Sequence, residues 1–299
     1  MKLIALLLAI VLERLATHLF RLRELRWLDR LIDPCLRLPQ KFPAIPLVAI
    51  SALLLLLFVL PVLILRFSIG ESLLGIPYVA LSVFVLFFSL GPQDIGEEVD
   101  AWCQAIESGD EEAAIERSKA LLECDPRPNS RISEAIFIQG NNRIFAVVFW
   151  FVVLGPVGAW AVRVADIIRR RALFSIQDLP ADELAPPNLA GSSEFVHALL
   201  AWLPARLSAL GYTLAGSFEH GRAAWRVPLA DDEGGDLGDR NDQLLSRVGE
   251  AALAFSSRVD ETQAQAQVRN AQEAKRLVFR TVVFGLVTVA ALTLLGPAI

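Results

Sequence analysis

Arg163 and Asp166 lie three residues apart in a mostly apolar stretch, so a helix through them carries a cation and an anion on one face. Two more charges fall in apolar runs: Glu13 near the start of the chain, and Arg206 beside Pro204. Ionisable groups at bilayer depth are costly, and they usually face an interior cavity and pair with one another. The signs are complementary, which predicts Glu13 within salt-bridge reach of Arg163 or Arg206. Asp166 and Asn142 are expected at the same polar pocket, with Trp150 and Trp202 on its walls. Trp202 and Arg206 are four residues apart, a spacing that lets an indole and a guanidinium stack on one helical face. The competing arrangement has each charge snorkelling separately to the membrane interface, and Arg163, near a helix end, suits it equally.

Other reactive groups carry less. His197 stands alone in an apolar segment and reads as a packing or interfacial histidine. Cys35, Cys103 and Cys124 form no C-x-x-C pair and have no neighbouring His, so neither zinc nor a disulfide framework is indicated. All three lie in segments expected on the cytoplasmic side, where thiols stay reduced. The acidic run Asp231–Asp236 misplaces the glycine and terminal glutamate of a calcium loop and reads as a solvated loop. No phosphate-binding glycine loop, nucleophile elbow, zinc-protease helix or dinucleotide fingerprint is present. No cofactor, metal or catalytic residue is therefore assigned.

The element that positions these charges is 141–166, NNRIFAVVFWFVVLGPVGAWAVRVAD. It is long enough to cross a bilayer, but Gly155-Pro156 interrupts it, because proline removes a backbone donor and crowds the preceding turn. It is either a kinked span or a re-entrant hairpin lining a polar cavity. Arg169, Arg170 and Arg171 follow; a single crossing from a cytoplasmic start would put them outside, against the positive-inside rule, whereas a hairpin would not. A second broken apolar helix, 193–218, carries His197, Pro204 and Arg206, with Ser192 or Ser193 as its cap.

Composition fits a membrane protein: 54% of the 299 residues are hydrophobic. The net charge of −5 gives nucleic-acid binding no support. The predicted class is an all-α, polytopic membrane helix bundle with broken or re-entrant helices and cytoplasmic helical insertions. Residues 1–91 are expected to hold N-terminal membrane helices around a basic cytoplasmic loop. The first helix resembles a signal peptide but lacks its cleavage site, so it reads as an uncleaved helix to about Phe20 or an interfacial amphipathic one. The clearest span is 44–65, and 72–90 returns the chain. Residues 92–142 form an acidic cytoplasmic helical segment, with a helix pair broken at Gly109-Asp110 and Trp102 packing on Ile106 and Leu121. Residues 143–218 hold the broken helices and a Pro-rich linker. Residues 219–276 are a cytoplasmic segment with an amphipathic helix over 241–259. Residues 277–299 are a last transmembrane helix, its start fixed in the cytoplasm by Lys275, Arg276 and Arg280.

The strings IFAVVFWFVVLGPVGAWAVR and FVHALLAWLPARLSALGYTLAGSF, with LLLAIVLERL at the start and FFSLG before the acidic segment, resemble the AmpE family over nearly the whole chain. The resemblance implies a multi-pass protein of the bacterial inner membrane. It also implies a regulatory role in β-lactamase induction and in sensing cell-wall recycling, a functional link to the AmpD amidase and a muropeptide-related ligand. More distantly, Phe149, Trp150, Pro156, Gly158, Ala159 and Pro204–Leu207 are similar to the CbiB/CobD family of cobalamin assembly. That family carries an Asn-Thr-x-Asp-Ser-Met stretch where this chain has Ala165–Arg169, and only Asp166 can stand in for it. The resemblance therefore implies a shared fold more than a shared reaction. A regulatory protein is expected, ahead of a CbiB-like amide-forming enzyme acting on a cytoplasmic carboxyl substrate, or a small transporter.

Overall fold

The structure is a computed structural model that describes residues 25–69, 76–90, 94–122, 131–177, 188–227, 236–254 and 261–295. Among these the regular structure is helical throughout, as the apolar runs and helical spacing predict. In chain order the helices are α1 (Arg26–Ile32), α2 (Leu47–Ile69), α3 (Ile76–Ser89), α4 (Ile95–Ser108), α5 (Glu111–Leu122), α6 (Ile132–Gly140), α7 (Ala146–Leu154), α8 (Pro156–Gln177), α9 (Ala190–Ala215), α10 (Phe218–Arg226), α11 (Leu237–Leu253) and α12 (Gln263–Leu295). A tighter 3-10 turn over Asp33–Arg37 and a single α-helical turn over Leu38–Lys41 lead into α2, and a π-helical stretch, Asn141–Phe145, joins α6 to α7. Among the described residues, four helical stretches are long and apolar enough to cross a membrane: Leu47–Ile69, Ile132–Leu154, Ala190–Ala215 and Gln263–Thr293. The chain is a multi-pass helical membrane protein. The expected segment boundary at 142/143 lies inside the second of these stretches.

The chain divides into two compact units, and the first takes residues 1–92, 146–202 and 236–238. Its core gathers Leu28 and Ile32 of α1, Leu54 of α2, Val85 of α3, and Trp160, Val164 and Ile168 of α8. The opposite face of α2 exposes Leu53, Leu56, Leu57 and Leu60, an apolar surface suited to lipid. At the predicted break the chain stops and restarts. Gly155 has φ +72 and closes α7 with its N–H on the Phe151 carbonyl at 2.8 Å, and Pro156 opens α8 at the position where its missing donor costs nothing. The helix α8 packs back along α7 over an extended stretch. This favours the hairpin over the kinked span. A Cβ at Gly158 would sit 2.3 Å from the Trp150 carbonyl, so the two arms approach within a distance only glycine allows.

The expected cap of α9 is corrected. Ser192 and Ser193 lie inside the helix, where their hydroxyls donate to the carbonyls of Leu189 and Ala190 at 3.1 and 2.9 Å. Asn188 supplies the cap, its Oδ1 accepting from the Ala190 N–H at 3.2 Å. An asparagine just ahead of the apolar run intercepts the first free donor, so the helix starts earlier than the serines suggest.

The second unit takes residues 93–145, 203–235 and 239–299. The helix α4 is capped by Asp94, whose Oδ1 accepts from the Gly96 N–H at 2.8 Å, and it ends at Gly109 with φ +72. Asp110 then caps α5 through the Ala113 N–H at 3.0 Å. This is the predicted helix pair. Its core is larger than expected: Trp102 and Leu121 are buried with Ile136 and Phe137 of α6 and with Ala274, Leu277 and Val278 of α12. Two short helices cannot cover an indole, so α6 and α12 complete the enclosure. The helix α11 turns Leu244, Leu245, Val248 and Ala252 inward, as its spacing predicts, and begins at Leu237. The last helix starts fourteen residues ahead of the expected 277, at Gln263, and its 33 residues run about 50 Å.

Candidate functional site

In the first unit, α8 projects a charged face from an otherwise apolar helix. Asp166 is buried and accepts from Arg163, Arg169 and Arg170, each at 3.1 Å. The three arginines stand at i−3, i+3 and i+4, so one helical turn on either side brings them to one carboxylate. Arg163 and Arg169 are buried too, and His197 of α9 lies within electrostatic reach of Asp166. Next along the helix, Arg171 grips Asp33 with two nitrogens, Nε at 2.8 Å and Nη2 at 2.6 Å from both oxygens. Pro34 holds Asp33 at the head of its tight turn. This is fork-on-fork geometry, which fixes the guanidinium plane.

Three guanidiniums converge on the Asp166 carboxylate and a fourth on Asp33. Arginine stays charged under all working conditions and presents donors in a planar fork that matches carboxylate or phosphate. Removing these ions from water costs several kcal/mol each, so the network persists only because each charge is met by another. Around it, Trp150 donates to the Leu200 carbonyl at 2.8 Å and Trp160 to the Phe58 carbonyl at 3.0 Å. Ser51 and Ser192 bond at 2.8 Å. These bonds tie α7, α8 and α2 to their neighbours and set the attitude of the charged face.

The expected pocket residues fall as follows. Arg163 and Asp166 meet directly. Trp150 and Trp202 belong to the same unit, Trp150 half-buried and Trp202 42% exposed. Asn142 and Arg206 belong to the second unit. There Asn141 donates to Asn142 at 3.0 Å and accepts from Ser208 at 3.0 Å, while Arg206 donates to Asn241 at 2.9 Å. Glu13, with the pairing expected for it, lies outside the described residues.

Two partnerships were not anticipated. Arg169 and Arg170 read as topology markers in the sequence, although their spacing to Asp166 was in plain view. Arg143 is buried and binds Glu98 at 2.8 Å and Gln139 at 2.8 Å. Glu98 lies in the acidic segment, yet its side chain turns inward. The polar run Asn141–Arg143 occupies a π-helical turn inside an apolar span, an irregularity common at functional sites. Among the described residues, no three His, Cys, Asp or Glu side chains are grouped to hold a metal ion.

Comparison with known proteins follows the same lines. The family model described as Regulatory signalling modulator protein AmpE matches residues 1–299. The cobalamin biosynthesis protein CobD of Chromobacterium violaceum is 26% identical over 155 residues, covering 50% of this chain and 47% of that protein. CobD of Stutzerimonas stutzeri is 28% identical over 183 residues, covering 58% and 57%. The chain thus spans about half the length of the curated relatives it matches. No solved structure matches it.

Proposed function

The chain belongs to the AmpE family, and from that premise we propose that it is an inner-membrane signalling protein linking cell-wall recycling to β-lactamase induction, in functional partnership with the AmpD amidase. The observation that carries the ligand part of this reading is the guanidinium-rich face of α8 around Asp166. A muropeptide-related ligand bears carboxylates, and forked guanidiniums in a low-dielectric setting are the protein groups best suited to them. In this reading Trp150 and Trp202 would line the site. In this reading the basic loop 21–43, the acidic segment 92–142 and the segment 219–276 face the cytoplasm, where recycled wall fragments arrive. The test is β-lactamase inducibility in a deletion strain, with and without the AmpD amidase, complemented by the wild type, Arg163→Gln or Asp166→Asn. Wild type restores the normal induction response, and the two variants, if present in the membrane at normal level, do not. Unchanged inducibility on deletion in both backgrounds refutes the signalling role. Full rescue by both variants refutes the ligand site.

The similarity to CobD supports one alternative, a membrane enzyme joining an amine to a cytoplasmic carboxyl substrate. Restoration of cobalamin synthesis by this chain in a strain lacking CobD would decide for that alternative; failure, with the protein present in the membrane, removes it.

A further inference from the structure

The second unit contains a cavity of about 380 Å3 that plays no part in the charged cluster. Its lining includes Ser217, Leu253, Glu273, Arg276, Leu277 and Arg280. It opens where three helices change character. The apolar exposed face of α9, with Leu207, Leu210 and Leu214, ends one turn before Ser217. The apolar exposed face of α12, with Val283, Phe284 and Val287, begins one turn after Arg280. The short amphipathic helix α10 follows directly, exposing Phe218 and Trp225 at its two ends. Two apolar faces stopping at one level, with an exposed aromatic helix beside them, mark the edge of the hydrocarbon region.

The chemistry of the lining suits that depth. Arg276 and Arg280 are one turn apart on α12 and both are exposed. Arg280 donates to the Ala215 carbonyl at the end of α9, which anchors its guanidinium at the cavity wall. Arg276 pairs with no carboxylate among the described residues, so its fork is open to an anion entering the cavity. Leu253, half-buried at the cavity wall, gives the apolar side on which a glycerol backbone or acyl chain rests.

We propose that this cavity holds the headgroup of a membrane phospholipid, with the phosphate between the guanidiniums of Arg276 and Arg280. Basic pockets between membrane helices on the cytoplasmic side take headgroups in this way. Glu273 and Ser217 face the part of the headgroup beyond the phosphate. A carboxylate there accepts from a hydroxyl or ammonium and repels a second phosphate, so the site selects headgroups with one phosphate and a terminal hydrogen-bond donor. The lipid then ties the end of α9 to α12, a role independent of any ligand on α8.

The full chain in maltoside micelles is titrated with short-chain phosphatidylglycerol, and the shift in thermal unfolding midpoint gives the affinity. Arg276→Gln removes a charge-assisted contact and is expected to weaken binding about tenfold or more, while Arg117→Gln on α5 leaves it unchanged. Arg280→Gln also loses the bond to α9, so Arg276→Gln carries the test. Glycerol 3-phosphate and inorganic phosphate, at the same concentrations, should shift the midpoint far less than the lipid. An equal shift from either overturns the lipid assignment in favour of a soluble phosphate compound. An unchanged affinity in Arg276→Gln overturns the site. Short-chain phosphatidylcholine, whose headgroup ends in no donor, should bind more weakly than phosphatidylglycerol, and equal binding overturns the role given to Glu273.

Discussion

Replacing Asp166 by Asn keeps the shape of the side chain and removes the one carboxylate at the centre of the α8 cluster. Three guanidinium contacts, each at 3.1 Å, then face an amide whose nitrogen end cannot accept. Removing one partner of a buried ionic group costs about 3–5 kcal/mol, because the remaining charges stay desolvated. At roughly 2–4 °C per kcal/mol for a unit of this size, the midpoint of thermal unfolding should fall by roughly 6–20 °C. The sharper test is the coupling between Asp166 and Arg170. In the wild type Arg170, 23% exposed, is a paired ion, and Arg170→Gln should destabilise modestly. In the Asp166→Asn background that contact is already weakened, and Arg170→Gln should cost less than it does in the wild type. The measurement is a double-mutant cycle by thermal unfolding of the full chain in detergent. If the two effects simply add, or Asp166→Asn leaves the midpoint unmoved, the charges are not held against one another and the account of the cluster is wrong.

Other expectations are simpler. Trp102, 5% exposed between α4, α5, α6 and α12, should cost about 3–5 kcal/mol on replacement by Ala, read as protease resistance and unfolding midpoint; an unchanged variant would refute its place in that core. Gly249→Ala should destabilise although alanine favours helix by about 1 kcal/mol. Its Cβ would sit 2.4 Å from the buried ring of Phe137, and Phe137→Leu in that background should recover part of the loss in the same unfolding assay. Burial pushes the Asp100 carboxyl up, but its bonds to Lys275 and Gln272 outweigh that and hold it below the ordinary 3.8. The stability from this contact is therefore present above about pH 3.8 and is lost as pH falls through the lowered folded-state value. Asp100→Asn should flatten that acid-side loss in a pH series of unfolding midpoints.

The parts of the fold that were legible in the sequence are those set by local rules. Apolar runs marked α2 and the apolar half of α12, Gly109-Asp110 marked the turn between α4 and α5, and Gly155-Pro156 marked the break. The link between Arg163 and Asp166 was legible for the same reason, being one helical turn. What stayed hidden depends on contacts between distant segments. Glu98 and Arg143 are 45 residues apart, and Asp33 and Arg171 are 138. Nothing in local composition separates a carboxylate that meets an arginine from one that meets water. The π-helical turn at Asn141–Phe145 was equally hidden, because neither its amides nor its arginine violates α-helical spacing. The early start of α12 escaped for a different reason: its first residues are polar, and hydropathy reports lipid contact but not helix length.

The turn at Gly155 also bears on the order of assembly. With one non-helical residue between α7 and α8, closing this hairpin costs almost no chain entropy, whereas pairing α2 with α8 must close a loop of many tens of residues. Pro156 fixes its own backbone angle in advance, and glycine adopts the left-handed state without steric cost. The two arms therefore pair early, while the helices around them are still finding their places. The Asp166 cluster lies on the second arm and draws its three arginines from the same helix, so its ion pairs form as soon as that helix does. A polar group that must enter an apolar phase does so at lower cost already paired, and this hairpin delivers its charges in that condition.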